Sequence, residues 1–113
     1  MQKIRKTDGW YDSLIFSNKK LLKMGSFPNL ESLDVGNTNI TIKVLKNILL
    51  NSPKLAYCNV MSCENVNNKF VNIASKVKTK RNDSKFLEIG CGGSNIKIKN
   101  LSNIPPLIYV FEY

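Results

Sequence analysis

Residues 28–35 (PNLESLDV) recur 25 residues later as residues 53–60 (PKLAYCNV). Both copies keep the frame P-x-L-x-x-(L/C)-x-V, whose sixth and eighth residues are apolar. Successive side chains of a strand point to opposite faces of a sheet, so these two residues point inward and the residue between them points outward. The frame therefore predicts one short strand in each copy, followed by a polar corner.

Apolar residues at helical spacing follow both predicted strands. In residues 41–50, Leu45 and Ile48 recur on one side of a helix. Pro53 ends that helix, because the residue before a proline is pushed out of the helical region. A similar stripe in the next unit predicts core packing, followed by a basic loop over residues 78–84. The stripe consists of Val66, Phe70, Val71, Ile73, Ala74 and Val77.

Weaker copies of the frame extend the pattern toward both ends of the chain. The copies start near residues 11, 30, 55, 84 and 108, at intervals of 19, 25, 29 and 24 residues. Intervals of about 20–29 residues with the pattern L-x-x-L-x-L-x-x-(N/C) are typical of leucine-rich repeats. The ninth position holds Thr38 in the first clear copy and Cys63 in the second. Small residues that bond the local backbone suit this corner, so we expect Cys63 to be buried and not to act as a nucleophile.

The chain from residue 27 to about residue 77 resembles the cysteine-containing leucine-rich repeats of F-box/LRR proteins. In those, a helix of the form L-x-x-I-L runs into S/C-P-x-L, a strand and a corner with C-x-x-V, here Cys63-Glu64-Asn65-Val66. The resemblance implies an α/β fold, a short solenoid with parallel strands on its concave face and helices or loops on its convex face. We expect residues 1–26 to form a basic segment with a degenerate repeat, and residues 27–113 to form about four repeats with an uncapped C-terminus.

The same resemblance implies a non-catalytic protein–protein interaction module, the substrate-recognition part of an F-box/LRR-type ubiquitin-ligase receptor. Ligase subunits are partners by analogy only, since no F-box is found in the sequence. The outward strand residues would bind a polar or basic peptide surface of a protein partner. The predicted contact residues are Ser32, Asp34, Tyr57, Asn59, Phe86 and Glu88, with Ser13, Ile15, Val110 and Glu112 in the weaker copies.

Residues 86–95 (FLEIGCGGSN) support an alternative interpretation. They resemble motif I of class I S-adenosylmethionine methyltransferases, in which a strand ends in a glycine turn that the cofactor approaches closely. Under that resemblance Glu112 would take the place of the acidic residue that binds the ribose hydroxyls. Ser94 replaces the last glycine of the motif, and only about twenty residues follow the turn. The alternative is therefore a truncated methyltransferase fragment.

The composition excludes much catalytic chemistry. None of the 113 residues is His, so the chain has no Ser-His or Cys-His pair and no His-ligated metal. We expect no enzyme activity, no cofactor and no metal. The longest apolar stretch, residues 104–111, contains two prolines and is far shorter than the roughly 20 residues of a membrane span. The sequence therefore predicts an intracellular protein, cytoplasmic or nuclear, without membrane contact.

The chain is strongly basic, with 17 Lys+Arg against 8 Asp+Glu and a net charge of +9. Its densest basic run spans residues 76–85. A basic domain can attract nucleic acid, but that run lacks the interleaved aromatic residues of nucleic-acid binders, apart from Phe86. Nucleic acid is therefore the least favoured partner, and we expect the run to be a solvated loop.

Overall fold

The structure is a computed structural model that describes the backbone of residues 3–6 and 9–12 and the whole of residues 26–112. These residues form six strands, two α-helices and one 3-10 turn. In chain order the elements are β1 (Lys3–Lys6), β2 (Gly9–Asp12), β3 (Ser32–Asp34), α1 (Ile42–Leu50), β4 (Tyr57–Asn59), α2 (Asn68–Arg81), β5 (Leu87–Gly90), the 3-10 turn (Ile98–Asn100) and β6 (Ile108–Phe111).

The strands form one sheet in the order β2-β1-β3-β4-β5-β6. Strands β3 to β6 are parallel and adjacent in chain order, whereas β1 is antiparallel to β2 and β3. The parallel register aligns Leu33, Cys58, Ile89 and Val110, so equivalent residues lie 25, 31 and 21 positions apart. The predicted α/β class with parallel strands is confirmed. Of the predicted N-terminal frame, Tyr11 lies in β2 and the rest falls outside the described residues.

Both helices cover one face of the sheet, which we call the helical face. Leu45 and Ile48 of α1 are fully buried, as their spacing predicts. In α2, Phe70 and Ala74 are buried in the same apolar core, together with inward strand residues such as Ile89. Thr41 caps the start of α1 and Asn67 caps α2, each by accepting a backbone N–H from the first turn. None of the described helices is long and apolar enough to cross a membrane.

Equivalent corners follow β3, β4 and β5. Asn37, Ser62 and Gly93 adopt positive φ angles of 60°, 58° and 74°. A Cβ on Gly93 would lie 2.9 Å from the Ser62 side chain, so glycine is favoured at this corner. The next residue in each corner is buried and bonds the backbone. These residues are Thr38 (Oγ1 to the Val35 carbonyl, 2.8 Å), Cys63 (Sγ to the Val35 carbonyl, 3.1 Å) and Ser94 (Oγ to the Cys91 carbonyl, 2.7 Å).

The burial of Cys63 in a corner is therefore confirmed, and Ser94 takes the equivalent place one strand further on. The prediction of a loop over residues 78–84 was wrong for its first half, because α2 continues to Arg81 and ends at Asn82 with a φ of 51°. Asn tolerates this left-handed conformation, which makes it an effective helix end. The basic residues before it are good helix formers, so the charge run did not mark a loop.

Candidate functional site

The face of the sheet opposite the helices carries the outward residues of β3 to β6, and we call it the open face. The register sorts these residues into two rows across the strands. One row contains Ser32, Tyr57, Glu88 and Tyr109, and the other contains Asp34, Asn59, Gly90 and Phe111.

Three aromatic rings meet on the open face around Gly90. Tyr57 comes from β4, and Tyr109 and Phe111 come from β6. The Tyr57 and Phe111 rings stack with centroids 6.3 Å apart at 17°, and the Tyr109 and Phe111 rings lie 5.8 Å apart at 42°. A Cβ on Gly90 would lie 3.3 Å from the Phe111 ring and 3.4 Å from the Tyr57 hydroxyl. Because Gly90 has no side chain, the rings of Tyr57 and Phe111 from the two flanking strands can meet above it. We call Tyr57, Tyr109 and Phe111 the aromatic cluster.

Glu88 lies at the centre of this arrangement. It pairs with Tyr57 on one side and Tyr109 on the other, and it points to the same face as Gly90 two residues later. Its side chain is exposed, and within the described residues it forms no ion pair. The surface therefore combines one carboxylate with three aromatic rings.

Two of the predicted contact residues stabilise turns at the strand ends. Asp34 Oδ1 accepts the Gly36 N–H at 3.1 Å, and Asn59 Oδ1 accepts the Met61 N–H at 2.9 Å. Asn59 is only 8% exposed, so little of it is accessible to a partner. These short polar side chains bond their own backbone two residues on, as Asp and Asn commonly do in turns.

In the last two predicted repeats, the observed strand register differs from the predicted one. Tyr57 pairs with Glu88, so Phe86 is not the equivalent of Tyr57; it precedes β5, where it is 57% exposed. Val110 was predicted to point outward, but it packs against the core, and Phe111 points to the open face instead. Glu112 follows β6 and is exposed, while Ser13 and Ile15 lie outside the described residues.

The sequence therefore predicted that Tyr57 and Glu88 point to the open face but did not predict this for Tyr109 and Phe111. The repeat frame that follows Pro106 assigned the inward and outward residues of β6 one position away from those that the register shows. The β-branched pair Ile108 and Val110 was the available signal, since its alternation matches that of the inward residues of β5.

Several residues of the basic run at residues 76–85 form contacts within the fold. Lys78 is 4% exposed and forms a salt bridge with Asp83. The hydrogen bond from the Lys78 side chain and the hydrogen bond from the Lys85 N–H hold the pKa of Asp83 below its usual value. The Arg81 guanidinium donates to the carbonyls of Leu55 (2.8 Å), Ser52 (2.7 Å) and Leu49 (3.2 Å). Partial burial lowers the Arg81 pKa, against the opposing effect of Asp83.

Cys58 and Cys91 are poor nucleophiles. Burial raises the pKa of Cys58 far above its usual value, with additional contributions from Cys63 and Asp34. Burial and the charge of Glu112 raise the pKa of Cys91. A thiol with a raised pKa stays protonated near neutral pH, and the thiolate is the reactive form.

The glycine segment that resembles motif I forms the corner after β5. The chain continues from Ser94 through a single bridge between Asn67 and Asn95 to the 3-10 turn. No α-helix begins there in residues 91–112. The described geometry at this corner matches that of the two preceding corners.

No family model, no curated protein and no solved structure matches this chain.

Proposed function

We propose that the chain is a non-catalytic protein–protein interaction module of the leucine-rich-repeat type, which binds a polar or basic peptide surface on its open face. The aromatic cluster beside Glu88 carries the proposal. Aromatic residues on a rigid surface are typical binding anchors, because they bury much area and lose little conformational entropy. Tyr109 is 58% exposed, so its ring is accessible to a ligand.

The repeating backbone supports the finer part of the proposal, a short solenoid. Four parallel strands follow one another in chain order, and three corners share a positive φ angle and a buried residue that bonds the backbone. Such units bury their apolar faces against each other and leave one strand face available for binding.

The resemblance to F-box/LRR proteins extends the proposal to the substrate-recognition part of a ubiquitin-ligase receptor. This extension rests on the sequence of residues 27–77 alone. In such a receptor the repeats hold the target and a separate F-box contacts the ligase. The open face would then be the surface that selects the target.

Selection of displayed random peptides on the immobilised protein tests the proposal. We expect enriched peptides whose binding is lost in Tyr109→Ser, because that change removes an exposed ring from the aromatic cluster. The matched control is Lys46→Ser, which changes an exposed residue of α1 on the helical face. Both variants should unfold at the wild-type temperature, since both side chains are exposed.

Absence of any enriched peptide, or equal binding by wild type and Tyr109→Ser, would contradict the proposal.

Equilibrium dialysis with S-adenosylmethionine tests the alternative, a truncated methyltransferase fragment. Saturable binding that Gly93→Ala abolishes would favour a methyltransferase-derived site at the corner after β5. The Gly93 change strains this corner, so its folded state must be checked by circular dichroism.

A further inference from the structure

We propose that the aromatic cluster and Glu88 form a subsite for one arginine side chain of a basic partner peptide. The inference rests on the proposed function and names the side chain that the open face selects. The guanidinium would pair with the Glu88 carboxylate and stack on an aromatic face. The geometry supplies both interactions within one patch of three strands.

The position of Glu88 is the first argument. In the register it has an aromatic neighbour on each side, Tyr57 and Tyr109. Phe111 lies over Gly90, which follows two residues later in β5 on the same face. A cation that pairs with this carboxylate therefore has an aromatic side chain on each of the two neighbouring strands. Aromatic faces attract cations through their quadrupole.

The distribution of charge is the second argument. The chain carries a net charge of +9, yet β3, β4, β5 and β6 contain no Lys or Arg. Their two charged residues are the carboxylates of Asp34 and Glu88. The helical face has the opposite character, because α1 and α2 contain no Asp or Glu. Strand β1, beside β3, carries Lys3, Arg5 and Lys6, and Lys3 pairs with Asp34 in the register. The part of the sheet away from these cations is therefore β4 to β6, where Glu88 is the single charged residue, and a basic ligand is attracted to this part and repelled from the helical face.

The chemistry favours arginine over lysine. A guanidinium is planar, so it stacks on a ring while its N–H groups bond a carboxylate in bidentate fashion. An ammonium is a compact and strongly hydrated charge, and it cannot satisfy both interactions equally well. The ring of Tyr109, which is 58% exposed, is accessible for such stacking.

Titration of the 15N-labelled protein with the short peptide Gly-Ser-Gly-Arg-Gly-Ser-Gly tests the inference. The same peptide with Lys or citrulline in place of Arg provides the matched probes. We expect shifts confined to residues of β4, β5 and β6, and a dissociation constant about three- to fivefold lower for Arg than for Lys. Citrulline keeps the shape of the side chain but not its charge, so it should bind at least as weakly as the Lys peptide.

Two variants separate the two interactions. Glu88→Gln should reduce the preference for the Arg peptide over the citrulline peptide to the part that the aromatic rings contribute. Tyr109→Ser should weaken Arg binding while leaving some preference for charge. Lys46→Ser on α1 serves as the control and should bind the Arg peptide like wild type.

Equal affinity for the Arg and Lys peptides, or shifts that map to the helices, would overturn the inference. If no Arg peptide binds but peptides selected by display still require Tyr109, the arginine subsite is wrong and the proposed function stands. If neither class of peptide binds, both fail. Concentration-dependent shifts at the open face without peptide would instead indicate that a second copy of this chain covers it, which also contradicts the inference.

Discussion

The two faces of the sheet differ in packing and in charge. On the helical face the inward residues of β3, β4 and β5 are buried beneath two helices that carry lysines and no carboxylates. On the open face the exposure varies, because Glu88 is exposed, Tyr57 and Asp34 are partly exposed, and Asn59 and Gly90 are buried. The charged residues of these strands are carboxylates. Strands of three or four residues thus separate two chemically distinct surfaces. The helical face provides stability, and we propose that the open face provides recognition.

The difference arises from the two-residue period of a strand. An exposed outward side chain such as Glu88 can be changed without opening a cavity, whereas each inward one is constrained by its neighbours in the core. This separation predicts that equivalent aromatic truncations on the two faces will have very different consequences for folding.

The largest effect is expected from Phe70→Ala in α2, compared with Phe111→Ala on the open face. Phe70 is fully buried, so its truncation should lower the free energy of unfolding by about 3–5 kcal/mol. Phe111 makes ring contacts on a partly exposed surface, so its truncation should cost about 1 kcal/mol. Urea unfolding measures both values. Similar losses for the two variants would mean that the aromatic cluster is part of the core.

The next effect concerns Arg81, which ties α2 to the preceding turn. Arg81→Ala leaves three carbonyls without their donor and should cost about 2–3 kcal/mol. Arg81→Lys should recover only part of the loss, because one ammonium cannot reproduce the planar fork of the guanidinium. Lys76→Ala, an exposed change in the same helix, is the control for helix propensity. A loss no greater than that of the control would show that the three hydrogen bonds contribute little.

The sequence pattern predicted the elements whose structure depends on residues close together in the chain. The strands β3 and β4 and the helix α1 follow from alternation, helical spacing and a terminating proline within 33 residues. The corner residues Thr38 and Cys63 followed from their fixed place in the frame. In each case the physical cause lies within one repeat, so the sequence displays it directly.

The features that the sequence did not predict depend on residues far apart in the chain. Arg81 bonds carbonyls that lie 26 to 32 positions earlier, and nothing in the local run distinguishes it from the neighbouring lysines. The ring of Phe111 meets Tyr57 above Gly90 only because three strands are in register. A shift of one residue exchanges the faces of a strand, which is why β6 was assigned wrongly.

A smaller effect is expected from pH at the end of α2. The pKa of Asp83 is lowered in the folded state, so its carboxylate stabilises the fold above its unfolded pKa of about 3.9, and this stabilisation is lost as the pH falls through the lower folded value. Asp83→Asn should therefore lower the unfolding temperature at neutral pH and have progressively less effect below about pH 4. Glu64→Gln removes an exposed carboxylate without an ion pair among the described residues, and it is the matched control. A difference between wild type and Asp83→Asn that stays constant from neutral to acidic pH would contradict this interpretation.

The smallest effect, and the one of opposite sign, is expected at Ser52. Its side chain is fully buried, and its hydroxyl has no hydrogen-bond partner among the described residues. Ser52→Ala removes that unsatisfied group and should raise the free energy of unfolding by up to about 1 kcal/mol, since the small cavity it leaves offsets part of the gain. Ser94→Ala is the matched control, because that hydroxyl donates to the Cys91 carbonyl and accepts the Ile96 N–H. It should lower the free energy of unfolding by about 1 kcal/mol. Urea unfolding of the two variants gives the sign of each change in the free energy of unfolding. A loss of stability in Ser52→Ala equal to that in Ser94→Ala would show that the Ser52 hydroxyl has a hydrogen-bond partner in solution.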